Sequence, residues 1–296
     1  MTEVEFIAAL RTLPLHPGAR GLTDDAAVVG PYVLTTDTIV EGVHFLPGDP
    51  PGDVAWKLVA QNLSDLAAKG ARPEGVLLNY PLTDDAWDRA FVAGLAEALA
   101  AFATPLIGGD TVSLPQGAPR VLTITALGTD AAAPPRSGAR AGDGLWVTGT
   151  IGDAGAGLAI ALGADGPDVL LAAYRRPRPL VAEGRALAPL VNAMADVSDG
   201  LLIDATRIAA ASGLAVGIDL SAVPLSAAYR AFAGDDVLRA ATAGDDYQLL
   251  FAAPAGFEPP VPATRIGTFA AGAGLTLVRD GVPVALPPSL GYQHGV

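Results

Sequence analysis

The sequence predicts a two-domain protein of the α/β (α+β) class. Strands alternate with helices in both halves of the 296-residue chain, and a run of short strands closes it. The segment 131–143 contains two adjacent prolines and turns with Arg and Gly, which is the composition of a linker. We therefore predict an N-terminal strand-rich domain over 1–135 and a C-terminal α/β domain over 136–296.

The N-terminal half contains clear helix start and stop signals. Pro14 ends an amphipathic first helix, and Asp53 is a candidate N-cap that follows two prolines. Gly70 has the position of a C-terminal cap, and Thr83 or Asp84 caps the next helix. The expected elements are a helix over 3–13, a turn entering a strand over 21–29, a strand over 32–36, a helix over 54–69, a strand over 76–80, a helix over 84–103, a short buried strand over 105–107 and a strand over 120–128.

The C-terminal half begins with a strand followed by a Gly-rich turn at 152–157. This turn lacks the spacing of a dinucleotide-binding loop, so close packing is favoured over phosphate binding there. The expected elements are a strand over 144–148, helices near 158, 168–174 and 179–191, a helix opened by 196–200 and ended at 213, and strands over 216–220, 248–252, 264–269, 275–279 and 282–286, the last of them forming a meander.

Composition excludes several classes of function. There is no cysteine, so thiolate metal sites and Cys nucleophiles are absent, which suits the cytoplasm. The formal net charge of −13 argues against a nucleic-acid partner. The chain contains no Gly-x-x-x-x-Gly-Lys-Ser/Thr loop and only two lysines, Lys57 and Lys69. The sequence shows no uninterrupted apolar span of membrane length, and its first residues are acidic. We expect a soluble cytoplasmic protein without a membrane partner.

One carboxylate, Asp65, falls inside the Ala/Leu-rich helix predicted over 54–69. Asp is a poor residue for a helix interior because its side chain competes for backbone hydrogen bonds. Asn62 and Lys69 lie on the same helix face, three and four residues away. This polar stripe has two interpretations, a solvated helix face or a group with a specific partner, and the helix alone does not choose between them.

Seven aspartates occur in this helix and in short turn-like contexts beside Gly, Ser or Thr: Asp24, Asp25, Asp37, Asp65, Asp110, Asp196 and Asp199. Singly, each is explained as a helix cap, a turn residue or part of a solvated loop. If they converge, two carboxylates about 4 Å apart repel by roughly 4 kcal/mol at an effective dielectric constant of about 20. Oxygen ligands with almost no His select hard cations such as Mg²⁺. Several Mg²⁺ ions in an acidic cleft are typical of phosphoryl transfer.

Eight sequence blocks in one order resemble the thiamine-monophosphate kinase family, a branch of the aminoimidazole-ribonucleotide-synthetase-like superfamily. The block Thr-Asp-Thr followed by Glu-Gly-Val-His-Phe is the most discriminating among them. The matching blocks cover residues 23–28, 35–45, 62–71, 107–111, 136–139, 147–152, 195–201 and 244–249.

The resemblance implies in-line transfer of the ATP γ-phosphoryl group onto thiamine monophosphate with several Mg²⁺ ions, giving thiamine diphosphate. It also implies a homodimer formed through the N-terminal domain, with nucleotide held between the domains. The implied metal ligands are Asp25, Thr35, Thr36, Asp37, Asp65, Asp110, Asp196 and Asp199. The implied ATP contacts are Gly109, Asp110, Arg136 and Ser198. The implied substrate contacts are His44, Asp245 and Tyr292. The residues expected to carry catalysis are Asp37, Asp65, Asp110 and Arg136.

The chain departs from the family pattern mainly on the substrate side. Asp245 and Gln248 stand where the family has Glu, and Asp is one methylene shorter. Two alternatives remain open: another ATP-dependent synthetase of the superfamily, and a Mg–nucleotide-binding relative without catalysis. Superfamily members that depend on a cysteine-type residue are disfavoured, because the chain has no cysteine.

Overall fold

The computed structural model describes residues 1–129 and 133–294. Strands and helices alternate around two separate sheets, which confirms the predicted fold class. The first sheet ends at Thr129, and the second begins at Gly144. Residues 131 and 132 of the predicted linker lie outside the described residues, and the segment from 136 to 138 is a turn of 3₁₀ helix. The domain boundary at 135/136 stays a prediction.

The N-terminal part is a five-stranded sheet with one long helix across it. Its elements are α1 (Glu3–Leu10), a 3₁₀ segment (Pro17–Leu22), β1 (Ala27–Val29), β2 (Tyr32–Val40), α2 (Pro51–Ala68), β3 (Arg72–Leu82), α3 (Asp85–Ala101), β4 (Leu106–Ser113) and β5 (Val121–Thr129). The strand order is β1-β2-β5-β3-β4, with only the β3–β4 pair parallel.

The C-terminal part is a seven-stranded sheet with helices packed against it. Its elements are β6 (Gly144–Thr148), α4 (Asp153–Ala161), α5 (Asp168–Arg175), α6 (Val181–Leu187), β7 (Ala193–Asp196), α7 (Leu201–Ala211), β8 (Leu214–Asp219), α8 (Ala227–Ala233), α9 (Val237–Thr242), β9 (Leu249–Ala253), β10 (Ala263–Ala271), β11 (Gly274–Arg279) and β12 (Val282–Val284). The strand order is β12-β11-β8-β10-β6-β9-β7.

The two faces of the N-terminal sheet have different surroundings. Along β2, Val33, Thr35 and Ile39 are buried and pack toward α2 and its apolar neighbours. The alternate residues, such as Tyr32 and Thr36, are exposed on the other face. Because side chains alternate along a strand, the parity of a residue decides which face it joins.

Helix α2 lies between the two domains and is surrounded by protein on most of its sides. It packs on β2, β5 and α3 of its own domain and on α6 and β7 of the other. An apolar cluster joins its end to the C-terminal sheet through Ala67, Leu187, Met194 and Phe251. Gly184 makes this approach possible, because a Cβ there would lie 2.0 Å from the Ala67 carbonyl oxygen. In the polar stripe of α2, Asn62 and Lys69 are fully buried and Asp65 is half-buried, so its interpretation as a solvated helix face is wrong.

Three expectations from the sequence differ from the structure. The short buried strand over 105–107 is an exposed edge strand, β4, that continues through the Gly-Gly-Asp segment. The closing meander is interrupted, because β8 lies between β10 and β11. Helices α8 and α9 have no counterpart among the predicted elements. Across the described ranges, none of the helices has the length and apolar character needed to cross a lipid bilayer.

Candidate active site

A cavity of about 590 Å³ opens between the two domains. It brings together most of the residues singled out from the sequence, although they come from distant parts of the chain. Its lining includes eight of them: Asp37, His44, Asp65, Asp196, Ser198, Asp199, Asp245 and Tyr292. Acidic side chains line one part of the cavity, and aromatic side chains line another.

Three carboxylates converge at the acidic end. Asp25 precedes β1, Asp65 is in the last turns of α2, and Asp196 is the final residue of β7. One oxygen from each of the three lies within 4.8 Å of the others, as in a metal-binding group. A strand end, a helix and a loop from both domains thus supply a donor set of oxygen atoms only.

Burial and mutual repulsion raise the pKa of two members of this cluster. Burial, followed by the charges of Asp37, Asp196 and Asp25, holds the pKa of Asp65 well above its usual value. Burial and the charge of Asp25 raise the pKa of Asp196 to about 8, although a hydrogen bond from Ser64 opposes this. Without a cation, the cluster therefore favours protonated carboxyl groups.

Asp37, at the edge of the cluster, shows the same behaviour to a smaller extent. Burial and the charges of Asp199 and Asp25 raise its pKa to about 6, against a hydrogen bond from Gln61. It therefore loses its proton at a lower pH than Asp196 does.

Asp25 shows the opposite behaviour. Burial alone would raise its pKa, but the charges of Arg136 and Lys69 outweigh burial and lower it to about 2. Lys69 is fully buried, and its Nζ lies 2.6 Å from Asp25 Oδ2 and 2.5 Å from Asp24 Oδ1. Arg136 Nη2 donates to Asp25 Oδ1. Asp25 is thus the member of the cluster that is ionised at neutral pH without a metal ion.

The polar stripe of α2 positions two of these carboxylates. Asn62 Oδ1 accepts a hydrogen bond of 3.0 Å from the Asp37 backbone N–H, which fixes the course of β2 beside the helix. Ser64 Oγ donates to Asp196 Oδ2 at 2.5 Å. Asn62, Ser64 and Asp196 are buried and Asp37 is half-buried, so these bonds hold the cluster with little competition from water.

The neighbouring threonines Thr35 and Thr36 point to opposite faces of β2. Thr35 Oγ1 donates to Asp65 Oδ2 inside the cluster. Thr36 Oγ1 lies on the exposed face, where it bonds to the Ile124 carbonyl oxygen at 3.1 Å and to Thr125 Oγ1 at 3.0 Å. The side chain of Thr35 therefore belongs to the acidic cluster, and that of Thr36 does not.

Gly109 and Asp110 lie apart from the cavity, on the exposed edge strand β4. The strand register joins Asp37 to Gly109 in one row through β5 and β3, so Asp110 falls on the opposite face of the sheet. Among the described residues, those that line the cavity do not include Asp110. Gly109 has a packing reason of its own, because a Cβ there would lie 1.9 Å from the Leu78 carbonyl oxygen.

Ser198 and Asp199 belong to the Asp-Val-Ser-Asp-Gly block between β7 and α7, and both line the cavity. Arg207 Nη1 donates to Asp199 Oδ2 at 2.5 Å and to Asp204 Oδ1 at 2.8 Å. The other Asp204 oxygen accepts the backbone N–H groups of Asp199 and Gly200, each at 3.1 Å, and so fixes the turn that presents both residues.

The aromatic end of the cavity contains His44, Asp245 and Tyr292, which were expected to contact the substrate, together with Tyr247 and His294. The rings of His44 and His294 are 5.3 Å apart, and His294 meets Tyr292 edge-on at 5.0 Å. His44 Nδ1 accepts a hydrogen bond from the Val40 N–H, so its Nε2 carries the proton. Burial, followed by the charge of the nearby His294, lowers the pKa of His44 below its usual value. His44 is therefore a neutral donor.

The comparisons with known proteins agree with this geometry. Residues 23–129 match the AIR synthase related protein N-terminal domain, and residues 140–280 match the corresponding C-terminal domain. The thiamine-monophosphate kinase of Escherichia coli (strain K12) is 39% identical over 93% of this chain and 91% of its own length. The Caulobacter vibrioides enzyme of the same name is 39% identical over 99% of this chain and 91% of its own length. The chain belongs to the thiamine-monophosphate kinase family.

A solved structure extends this result to the whole fold. The structure of AaThiL complexed with AMPPCP and TMP has a TM-score of 0.87 and 29% sequence identity to this chain. The match covers 99% of this chain and 97% of AaThiL. The family predicted from the eight sequence blocks is confirmed, and so is the prediction that the chain is an enzyme of this kinase family.

Several polar residues of this kinase-family site were missed at the sequence level. Gln61, Tyr247 and His294 line the cavity, and Lys57 and Lys69 hold acidic side chains near it. One signal was available, because both of the chain's lysines lie at or near the ends of one apolar helix. Lysine is rare in this chain, in which most cations are Arg. A lysine placed among apolar residues therefore indicates that its ammonium group has a buried partner.

The Gly-rich turn before α4 packs closely, as expected. A Cβ at Gly152 would lie 2.6 Å from the Ala240 Cβ, and one at Gly155 would lie 2.4 Å from the Ala243 Cβ. The first backbone N–H groups of α4 already have a partner, since Asp246 accepts from Gly152 at 2.7 Å. The helix end therefore has a carboxyl group of the chain itself in the position that a phosphate would take.

Proposed function

We propose that this chain transfers the γ-phosphoryl group of ATP to thiamine monophosphate, giving ADP and thiamine diphosphate. The observation that carries the proposal is the cavity in which Asp65 and Asp196 of the acidic cluster face His44, Asp245 and Tyr292, with Asp25 buried beside them. The names of the relatives and the AMPPCP and TMP bound to AaThiL support the choice of substrates.

The acidic cluster fits divalent magnesium. Its donors are carboxylate oxygens, which Mg²⁺ prefers, and the described residues place no imidazole or thiolate among them. Asp25, Asp65 and Asp196 would hold the ions, with Asp37 and Asp199 beside them. Bound Mg²⁺ supplies positive charge to the phosphates of both substrates. The raised pKa values of Asp65 and Asp196 support this assignment, because such carboxyl groups ionise readily only beside a cation.

The acceptor needs no general base from the protein. A phosphate monoester has a second pKa of about 6, so its oxygen is largely anionic at neutral pH. His44 is neutral with its proton on Nε2, so it is suited to donate a hydrogen bond and not to remove a proton. The residues of the cleft therefore align the two phosphates and neutralise charge, which is the main requirement of phosphoryl transfer.

The aromatic end suits the thiamine part of the acceptor. The thiazolium ring carries a positive charge, and cations are attracted to aromatic faces. Tyr292, His44 and His294 provide such faces beside the carboxylate of Asp245. We infer that these four residues bind the thiazolium and pyrimidine rings, while the acceptor phosphate points toward the acidic cluster.

Two residues are proposed to contact the ATP phosphates. Ser198 presents a hydroxyl group to the cavity beside Asp196 and Asp199. Arg136 is paired with Asp25 in the structure. For Arg136 to meet a phosphate, its guanidinium must exchange one carboxylate oxygen for a phosphate oxygen. Bidentate pairing is common for Arg, so both partners can be held at once.

We further propose a homodimer formed through the exposed face of the N-terminal sheet. This face carries exposed apolar residues on neighbouring strands, among them Leu77 and Val112, and also Asp110. Since Asp110 lies on the face opposite to Asp37, it reaches an acidic cleft only if that cleft belongs to a second copy of the chain. The dimer thus accommodates Asp110 and Gly109 as nucleotide and metal contacts.

The proposal that Asp110 contributes to the cleft of the second copy in the dimer is tested by mixing two variants. Asp65→Asn and Asp110→Asn should each be inactive alone. Co-expressed at equal amounts, they should recover about a quarter of wild-type activity, because half of the dimers are mixed and each mixed dimer has one intact cleft. No recovery, with mixed dimers shown by mass spectrometry, would exclude a contribution of Asp110 across the dimer.

The reaction itself is tested by product analysis. The purified chain is incubated with ATP and Mg²⁺ and with thiamine monophosphate, thiamine or a ribonucleotide acceptor of the related synthetases. We expect ADP and thiamine diphosphate in equal amounts only when the acceptor is thiamine monophosphate. ADP release only with the ribonucleotide would identify a synthetase, and nucleotide binding without turnover would identify a non-catalytic relative.

Cellular setting and other partners stay predictions. The absence of cysteine and the use of ATP suit the cytoplasm. The net charge of −13 makes binding to nucleic acid or to anionic lipid unfavourable.

A further inference from the structure

Lys57 lies on α2 behind Asp245, a residue that lines the aromatic end of the cavity, and has no role in the function proposed above. Its side chain is almost fully buried, with a relative exposure of 3%. Nζ lies 2.7 Å from Asp245 Oδ2 and 3.1 Å from the His44 carbonyl oxygen. It also lies 4.1 Å from the centre of the Tyr174 ring.

These contacts use the whole bonding capacity of the ammonium group. A lysine has three N–H donors, and here one meets a carboxylate, one meets a carbonyl oxygen and one is left toward the face of an aromatic ring. Tyr174 is itself fixed, because its hydroxyl donates to Asp49 Oδ2 at 2.9 Å. Lys57 therefore has no free donor for a substrate, and its effect must pass through the groups it holds.

The groups it holds belong to both domains. His44 follows β2 in the N-terminal domain, and Asp245 precedes β9 in the C-terminal domain. Asp245 Oδ1 also accepts the Tyr247 hydroxyl at 3.0 Å, so both carboxylate oxygens are engaged.

The loop that carries Asp245 is strained. Asp245 and Tyr247 have positive φ values of 69° and 49°, a region that costs free energy for residues other than Gly. A loop in this conformation needs external contacts to keep its shape, and Lys57 provides a charged one.

We propose that Lys57 is a positioning residue that fixes the distance between His44 and Asp245 and thereby sets the affinity for the thiamine end of the acceptor. This inference rests on the proposed function and deepens it, because it assigns control of acceptor specificity to a residue that touches no substrate. It also gives Asp245 a defined location although its side chain is shorter than Glu.

The test compares Lys57→Met and Lys57→Arg in the full-length protein. Hydrogen bonds to charged groups are worth enough that Lys57→Met should raise KM for thiamine monophosphate about tenfold to a hundredfold. KM for ATP and kcat should stay within about twofold, because the acidic cluster is untouched. Lys57→Arg, which keeps the charge, should restore part of the affinity.

Two controls separate positioning from a merely structural role. Arg89→Met removes a cation from an exposed ion pair with Asp85 and should leave all constants unchanged. In the double variant Lys57→Met/Asp245→Asn, the increase in KM for thiamine monophosphate should be smaller than the product of the two single increases, because Lys57 acts through Asp245.

Several results would overturn the inference. They are equal increases in KM for both substrates, a loss of kcat at unchanged KM, and additive effects in the double variant. If Lys57→Met does not fold, Lys57→Arg decides: a KM for thiamine monophosphate that rises no more than the KM for ATP contradicts the inference. If the wild type forms no thiamine diphosphate, the proposed function fails. Calorimetry then tests Lys57 separately: a Kd for thiamine monophosphate that Lys57→Met leaves unchanged, or no binding by the wild type, contradicts it.

Discussion

Ser64 Oγ donates a hydrogen bond of 2.5 Å to Asp196 Oδ2, although 132 positions separate the two residues in the chain. Ser64 lies on α2 of the N-terminal domain, and Asp196 ends β7 of the C-terminal domain. Both are buried. A carboxylate of the acidic cluster is thus positioned by a helix from the other domain, so cluster geometry and domain packing depend on each other.

Replacing Ser64 by Ala should weaken both properties. The change leaves a buried carboxyl group without its donor, which should lower the free energy of unfolding by about 1–3 kcal/mol. It should also weaken Mg²⁺ binding, because Asp196 loses its orientation. Urea denaturation and calorimetry measure the two effects. Ser113→Ala, at an exposed position on β4, should change stability by less than about 0.5 kcal/mol. Equal results for both variants would contradict the role of Ser64.

The raised pKa values predict the pH dependence of the metal-free protein. Asp196 titrates at about 8 when folded, against a usual value of 3.8. Between these values the folded protein holds a proton that the unfolded chain has lost, so the free energy of unfolding falls as the pH rises. Asp37 adds a smaller loss between 3.8 and about 6. The pKa of Asp25 is lowered to about 2, so Asp25 affects stability only in acid. Its stabilising contribution is lost as the pH falls through that value.

Mg²⁺ binding at pH 7 should consequently release protons from Asp65 and Asp196. The number released follows from calorimetry in two buffers of different ionisation enthalpy. Asp196→Asn should release fewer protons than the wild type. Identical heats in the two buffers would show that the cluster is already ionised without the metal.

The exposed face of the N-terminal sheet predicts the effect of a charge on self-association. Leu77, on β3, is exposed in the single chain. Leu77→Asp should convert a dimer to a monomer, because it places a carboxylate within a buried apolar contact. Light scattering measures the mass. Val92→Asp, an exposed position on α3, should have no effect. A Leu77→Asp variant with the wild-type mass would exclude this face as the interface.

Local sequence signals predicted most of the helices and strands. The cap expected at Asp84 is present, since its side chain accepts from the Trp87 N–H at 2.9 Å. The edge strand β4 was misjudged, because apolar residues such as Leu106 and Ile107 are typical of a buried strand. Which face of a sheet is covered depends on the order of strands and on partners outside the segment, and no local pattern contains that information.

In the candidate site, too, local patterns were predicted correctly and contacts between distant parts of the chain were not. The spacing of Asn62, Asp65 and Lys69 correctly predicted one helix face, but its burial depends on α6 and β7, more than a hundred residues away. Arg136 was expected to meet a phosphate, and its pairing with Asp25 is a contact between domains that spacing cannot indicate. Family resemblance supplied the list of site residues, and the structure supplied their relative positions.

Metal-dependent phosphoryl transfer at Asp65 is tested by measuring thiamine diphosphate formation by Asp65→Asn. This variant keeps an acceptor for Thr35 and removes the charge that Asp65 would carry beside a metal ion. We expect an unchanged melting curve and a loss of at least about 100-fold in turnover, while Asp165→Asn at an exposed position is unaffected. Turnover within about threefold of the wild type would show that Asp65 serves the fold alone and takes no part in phosphoryl transfer.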